Sequence, residues 1–245
     1  RVGTGRHGRR DTIMYVWKRP VTRAVRRSYT TIAASLASLN ILHDNHRLRI
    51  LDAKIEPGST ASALHEYPTV RWPVVSGDLA TPLPTYHAPG TEVTISNPGE
   101  HMRREMIFEV LQEPRYDTEQ LDSLTAAAKW PTAPGQVLML ENRYVRMWDF
   151  RASLGMDRLA FHQHIMDNAW VVLGDGSVLD VFAPDGHGGA DFRKRATFHD
   201  GFVSWNTVPN GGFDEDGVTP IEPACVHSVE NVGEVEFREY LIELK

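Results

Sequence analysis

Residues 155–174 read GMDRLAFHQHIMDNAWVVLG and place His162 and His164 two apart inside an apolar, strand-like run. In a β-strand, side chains alternate between faces, so positions i and i+2 point the same way. One face of this run then presents His162, His164, Met166 and Asn168, while Gln163 and Asp167 belong to the outward face. Two imidazoles on one face can reach a single ion, and imidazole suits zinc, iron, copper and nickel alike. Taken alone, the pair fits either a metal site or two histidines hydrogen-bonded inside a β-core.

Sixty residues on, the run EPACVHSVENVGEVEFREYLIEL (222–244) carries His227 and, four residues later, Asn231. Alternation puts Cys225, His227, Val229 and Asn231 on one face. Cys225 is thus expected beside His227, as a small buried hydrophobe or, alternatively, as a ligand. Together the two runs resemble the cupin signature. Its first motif is matched by Gly155, His162, His164, Asn168 and Gly174, and its second by Pro223, Ala224, His227 and Asn231. Asn168 stands where the family has a Glu ligand, and Ala224 where its turn has Gly. The resemblance implies a metal held by His162, His164 and His227. Asn168 is left as a catalytic candidate that ligates weakly, holds a water or orients a substrate.

Outward from these motifs the chain repeats itself. DNHRLRILDAKIEPG (44–58) aligns with ENRYVRMWDFRASLG (141–155) at an offset of 97, matching Asn45 to Asn142, Arg49 to Arg146, Asp52 to Asp149 and Gly58 to Gly155. Carried onward to Gly77 against Gly174, that offset sets His65 on His162, Tyr67 on His164 and Arg71 on Asn168. APGTEVTISNPGEHMRRE (88–105) aligns with residues 222–239. It matches Asn97 to Asn231, Gly99 to Gly233, Arg104 to Arg238 and Glu105 to Glu239, with Val93 in place of His227. The resemblance is therefore to a bicupin and covers residues 44–245.

The expected fold is all-β, two jelly-roll barrels in tandem joined by a short helical linker. Residues 1–43 form a basic N-terminal arm, 44–114 a degenerate barrel, 115–136 the linker and 137–245 the metal-binding barrel. In the linker, DTEQLDSLTAAAKWP reads as one helix capped by Asp117 or Thr118 and stopped by Pro131. Residues 184–221 have no counterpart in the first half. They are expected to add a hairpin around ATFHDGFVSW (196–205), with His187 and His199 solvated. In the first barrel, His65, Tyr67 and Arg71 either bind an anion or simply fill the interior.

Composition narrows the function classes. One cysteine excludes an intramolecular disulfide and a cysteine-built zinc cluster. No run of about eighteen apolar residues suggests a membrane-spanning helix. Residues 1–27 carry nine Lys/Arg and one acid, so the net charge of −6 hides a strongly acidic remainder, a poor partner for nucleic acid. The basic arm reads as an extension or as an organellar transit segment, and the protein is expected in the cytoplasm or, with a transit peptide, in an organelle. A homodimer is compatible with the pattern.

In function, the resemblance implies a metal-dependent cupin enzyme, read as a dioxygenase-type oxidoreductase on a small organic acid or aromatic compound. The cofactor is a divalent transition metal, Fe(II) first, with Ni, Mn, Cu or Zn as alternatives. Without the Glu ligand the site is one charge more positive, which favours an anionic small-molecule substrate. The rivals are a metal-assisted lyase or isomerase and a non-catalytic small-molecule-binding bicupin.

Overall fold

Asn45 and Asn142, matched by the repeat, build the same turn twice. Asn45 Oδ1 accepts from the backbone N–H of Arg47 and Leu48, and Asn142 Oδ1 from that of Tyr144 and Val145. The computed structural model describes residues 36–75, 82–212 and 225–245. The arm up to residue 35, Gly77, the end of the 184–221 expansion, and Pro223 with Ala224 lie outside the described residues.

The first half contains β1 (Leu36–Asp44), β2 (Leu48–Ile55), β3 (Thr60–His65), β4 (Thr69–Val74), β5 (Thr85–His87), β6 (Thr91–Ser96) and β7 (Arg103–Val110). They form a sheet ordered β1-β2-β7-β4-β5 and a second sheet β3-β6. After helix α1 (Thr118–Ala127) come β8 (Val137–Glu141), β9 (Val145–Ala152), β10 (His162–Gln163), β11 (Asp167–Val172), β12 (Val178–Pro184), β13 (Ala190–Thr197), β14 (Val203–Asn206), β15 (Val226–Asn231) and β16 (Phe237–Leu244). Their sheets are β14-β11-β16-β9-β8 and β10-β15-β12-β13. Every strand pairing is antiparallel, and the chain is two jelly-roll barrels in tandem.

The five-stranded sheets pack against each other, which makes their central strands two-sided. All eight residues of β16 are buried. Tyr240, Ile242 and Leu244 join Trp72, Phe108 and Leu48 in a core between the barrels, whereas Phe237 faces the second barrel's interior. Tyr240 stacks on Trp72 at 3.7 Å between ring centroids and donates to Pro73 O at 2.8 Å. Burying side chains of this size contributes roughly 1.5–3 kcal/mol each. Flanking that core, the repeat holds a second matched device: Arg104 pairs with Asp52, and Arg238 with Asp149.

The linker helix starts at a capping box, with Asp117 Oδ1 accepting from Gln120 N and Gln120 Oε1 from Asp117 N, both at 2.9 Å. Its Leu121 packs on Ile165 and Met166, directly after the H-x-H pair.

Three expectations change. The folded part begins before residue 44, because Leu36–Asp44 pairs along β2 as an edge strand. Its Ser- and Asn-containing sequence hides it, since an edge strand need bury little. The added hairpin is β12–β13, closed at residues 185–189, and not the run around ATFHDGFVSW. That run crosses between sheets instead: β13 pairs with β12, whereas β14 pairs with β11. Finally, the constant offset of 97 fails after Gly155. His65 pairs with Thr91, the position that matches Cys225, and His164 N donates to Cys225 O. The segment between Gly155 and His162 holds two extra residues, so His65 corresponds to His164, Ala63 to His162, Thr69 to Asn168 and Arg71 to Trp170.

Candidate metal centre

The three histidines meet because two short strands bring them into register. β10 pairs with β15 so that His162 lies opposite His227, and the backbone bond from His164 N to Cys225 O, 2.7 Å, extends the ladder. The three rings offer one nitrogen each, all within 4.8 Å of one another. Ring centroids are 4.4 Å apart for His162 and His227, 5.0 Å for His162 and His164, and 5.1 Å for His164 and His227.

Burial, reinforced by the neighbouring imidazoles, holds His162 well below the usual histidine range. The same causes, with Lys194 adding to them, push His227 down to about 3. Both rings are neutral at physiological pH and keep a lone pair for coordination. The donor set fits a divalent transition metal: three neutral imidazoles converge and leave positions open on one side. His164 Nδ1 is buried without a hydrogen bond and lies 3.9 Å from Glu243 Oε1, which is likewise unsatisfied. The other Glu243 oxygen accepts from Trp148 Nε1 at 2.9 Å. A carboxylate behind a ligating histidine is the arrangement that fixes ring orientation in metal sites.

A cavity of about 580 Å³ opens from the triad. Its wall is aromatic and aliphatic, with Phe150, Trp170, Phe198 and Phe237 prominent, and Glu239, Arg193 and Lys194 are its charged side chains. The first barrel fills its corresponding positions differently. Arg49 pairs there with Glu109, and Arg71 and Arg103 pair with Glu105, so charge pairs occupy the interior. Arg71 Nε donates to Glu105 at 2.9 Å, which commits the guanidinium that could have held an anion.

Strand parity gives Asn168, Gln163 and Asp167 their expected faces, but not the surroundings found there. The strand itself is interrupted at 164–166. Asn168 lies outside the cavity lining, its Nδ2 donating to Met166 O and its Oδ1 accepting from Asn206 Nδ2. Gln163, expected outside, is fully buried; its N–H donates to Pro131 O and its side-chain oxygen accepts from Lys129 N, tying the linker to the site strand. Asp167, also expected outside, is buried in the seam between barrels, paired with Arg47 and Arg115. Cys225 precedes the first residue of β15, and no thiol joins the histidine cluster. Burial and nearby Asp167 push its thiol up to about 11, which keeps it a protonated core group.

Asn231, part of the matched motif, is a turn clamp: its Nδ2 donates to Ala152 O and Val235 O, and Gly233 N donates to its Oδ1. His199 sits in an exposed turn. Glu239 and Glu243 drew no attention from spacing arguments. The available signal was the pairing of Glu105 with Glu239, whose neighbours differ between the halves.

No protein-family model and no curated protein matches the chain. Solved structures similar to it include a cupin domain from Bordetella pertussis Tohama I, at 22% identity, TM-score 0.32, covering 48% of this chain and 98% of that one. AerE from Microcystis aeruginosa is similar at 10% identity and TM-score 0.48, with 86% and 99% covered. A variant of the salicylate 1,2-dioxygenase from Pseudoaminobacter salicylatoxidans is similar at 12% identity and TM-score 0.38, with 80% and 70% covered.

Proposed function

We propose that this bicupin is a metal-dependent enzyme of the dioxygenase type, with His162, His164 and His227 of its second barrel as the ligands. One observation carries the reading: three imidazole nitrogens, from buried His162 and His164 and half-buried His227, within 4.8 Å of one another at the wall of a cavity sized for a small molecule. A divalent transition metal bound there supplies Lewis acidity and, as Fe(II), the redox chemistry that dioxygen requires.

The chain's own residues supply the rest. Glu243 stands 3.9 Å from His164 Nδ1, placed to orient that ring when its other nitrogen ligates. The aromatic wall excludes water and strengthens every electrostatic contact inside. Three neutral ligands leave the ion's charge uncompensated, so an anionic donor group on the substrate is favoured at that end. Arg193 and Lys194 reinforce the preference from the exposed strand β13.

The test is elemental analysis of purified and metal-reconstituted protein beside His162→Ala and His227→Ala. About one metal per chain, lost in both variants, is expected, with dioxygen uptake then assayed on aromatic and other small organic acids. Metal without dioxygen uptake would redirect the reading to lyase or isomerase chemistry. No metal in wild type, even after reconstitution, overturns it.

A further inference from the structure

Glu239 stands on the cavity face of β16, is 6% exposed, and lines the same cavity as the histidines. Among the described residues its carboxyl has no hydrogen bond and no ion pair. Burial raises its pKa well above the ordinary carboxylate range, with no neighbouring charge contributing. An unpartnered acid in such a place costs stability, and nothing in the barrel requires it for packing.

The first barrel shows what this position pairs with when its partner is built in. Glu105, the counterpart of Glu239, receives Arg71 on one oxygen and Arg103 on the other. Sheet register identifies their replacements. Arg71 pairs with Ile107 as Trp170 pairs with Leu241, and Arg103 precedes Glu105 by two residues as Phe237 precedes Glu239. Ala53, opposite Glu105, becomes Phe150 opposite Glu239. Directly opposed side chains lie roughly 4.5–5.5 Å apart at Cβ and diagonal ones roughly 7–8 Å. Phe150 and Val172 are therefore directly opposite Glu239, with Phe237 and Trp170 as its near neighbours on the same face. Both cations have been exchanged for aromatic faces while the acid has been kept.

We propose that Glu239 is a substrate-recognition residue that takes a protonated amine, seated against Trp170 and Phe237 where Arg71 and Arg103 sit in the first barrel. A buried carboxylate with aromatic faces beside it is chemistry suited to an ammonium group, through a charge-assisted hydrogen bond and cation–π attraction. The proposal deepens the reading of the second barrel as a substrate-binding enzyme site and adds a second recognition point. Four residues of strand, about 13 Å, separate Glu239 from Glu243, which backs His164. The ligand thus carries an amine at one end, an apolar or aromatic body, and the metal-binding group at the other. Arg193 and Lys194 lie on exposed β13, and Lys194 acts on His227. Burial favours the protonated form of Glu239, so over the pH range in which the empty site holds that proton, entry of the ammonium releases it to solvent.

Titration calorimetry of the full chain with 2-phenylethylamine, 2-phenylethanol and 3-phenylpropionate tests this. The amine is expected to bind at least about tenfold more tightly than the alcohol, and more tightly than phenylpropionate in His162→Ala, and Glu239→Gln to remove at least about tenfold of that affinity. The binding heat should also differ between buffers of different ionisation enthalpy, reporting the released proton. Glu239→Gln is near-isosteric and breaks no contact, so its unfolding temperature should be unchanged or higher, confirming that the lost affinity is not lost folding. Running the series in His162→Ala separates the two readings, because amine affinity should survive there without metal. Equal affinity for the alcohol, no binding of the amine, or an unaffected Glu239→Gln would each overturn the proposal.

Discussion

Where the second barrel carries His162 and His227, the first carries Ala63 and Val93, and of the triad it keeps only His65, at the place of His164. His65 is buried with both ring nitrogens unpaired, and burial, with His87 and Arg71 adding to it, pushes it down to about 4. Around it the first barrel satisfies its interior acids with its own guanidiniums, Arg49 on Glu109 and Arg71 with Arg103 on Glu105. The second barrel leaves the corresponding acids oriented toward work: Glu243 behind His164, Glu239 open to the cavity. One scaffold, used twice, has closed its charges internally in one copy and left them facing a histidine cluster and a cavity in the other.

The sharpest way to break the comparison is at the shared imidazole. His164→Ala should drop metal content from about one per chain to near zero, while His65→Ala leaves it unchanged, as read by elemental analysis. Metal lost equally from both variants would mean that the first barrel contributes to binding.

Next in size is the contrast between paired and unpaired acids. Removing one partner of a buried ion pair strands the other charge and costs about 3–5 kcal/mol. The double substitution Arg71→Ala/Arg103→Ala should show a loss of that order in denaturant unfolding, because Glu105 is 1% exposed and these two guanidiniums are its ion-pair partners, and Arg71→Ala alone a smaller one. Glu239→Gln should show none. If the double substitution proves harmless, the first barrel's interior is not held by its pairs, and the division between the barrels fails.

These contrasts also explain what the sequence could reveal. The repeat was legible because its identities are local devices with strict chemistry. Asn45 and Asn142 fold turns, Gly58 and Gly155 take φ of +69° and +68°, and Asp52–Arg104 recurs as Asp149–Arg238. The histidine triad was legible because spacing and register both survive in short strands. Parity gives Asn168 the face of Trp170, but its amide is taken up by Met166 O and Asn206 instead of the cavity, and parity does not reach Cys225, which precedes β15. The two extra residues before His162 lie in a segment without matching residues, so cross-strand pairing alone exposes the shift from His65–His162 to His65–His164. Glu239 was missed for a different reason. Its identity is shared with Glu105, and what changed are neighbours distant in sequence.

A smaller effect tests the shared part of the comparison. Asn97 and Asn231 make the same three contacts, each donating to two carbonyls and accepting from a glycine N–H. Substituting either by Ala leaves buried backbone groups unpaired and should cost about 1–3 kcal/mol, and the two costs should agree. A large difference in thermal unfolding between them would show that the repeat is conserved in form but not in energetics.

The smallest effect concerns Glu239 and pH. Its folded-state pKa is raised above the ordinary value of 4.5, so above that pH the folded chain keeps a proton that the unfolded chain has lost. Wild-type stability relative to Glu239→Gln is therefore greatest below about pH 4.5 and falls as pH climbs toward the raised value, by at most about 1.4 kcal/mol per pH unit. Trp170→Arg would give the second barrel the guanidinium that Arg71 supplies in the first. With a cation beside it the carboxyl ionises readily, and the pH-dependent loss should disappear from that variant as it does from Glu239→Gln. Denaturant unfolding across pH 4 to 8 reads all three proteins. If both substitutions leave the wild-type pH profile intact, another group titrates, and the contrast between a paired Glu105 and an open Glu239 has no energetic content.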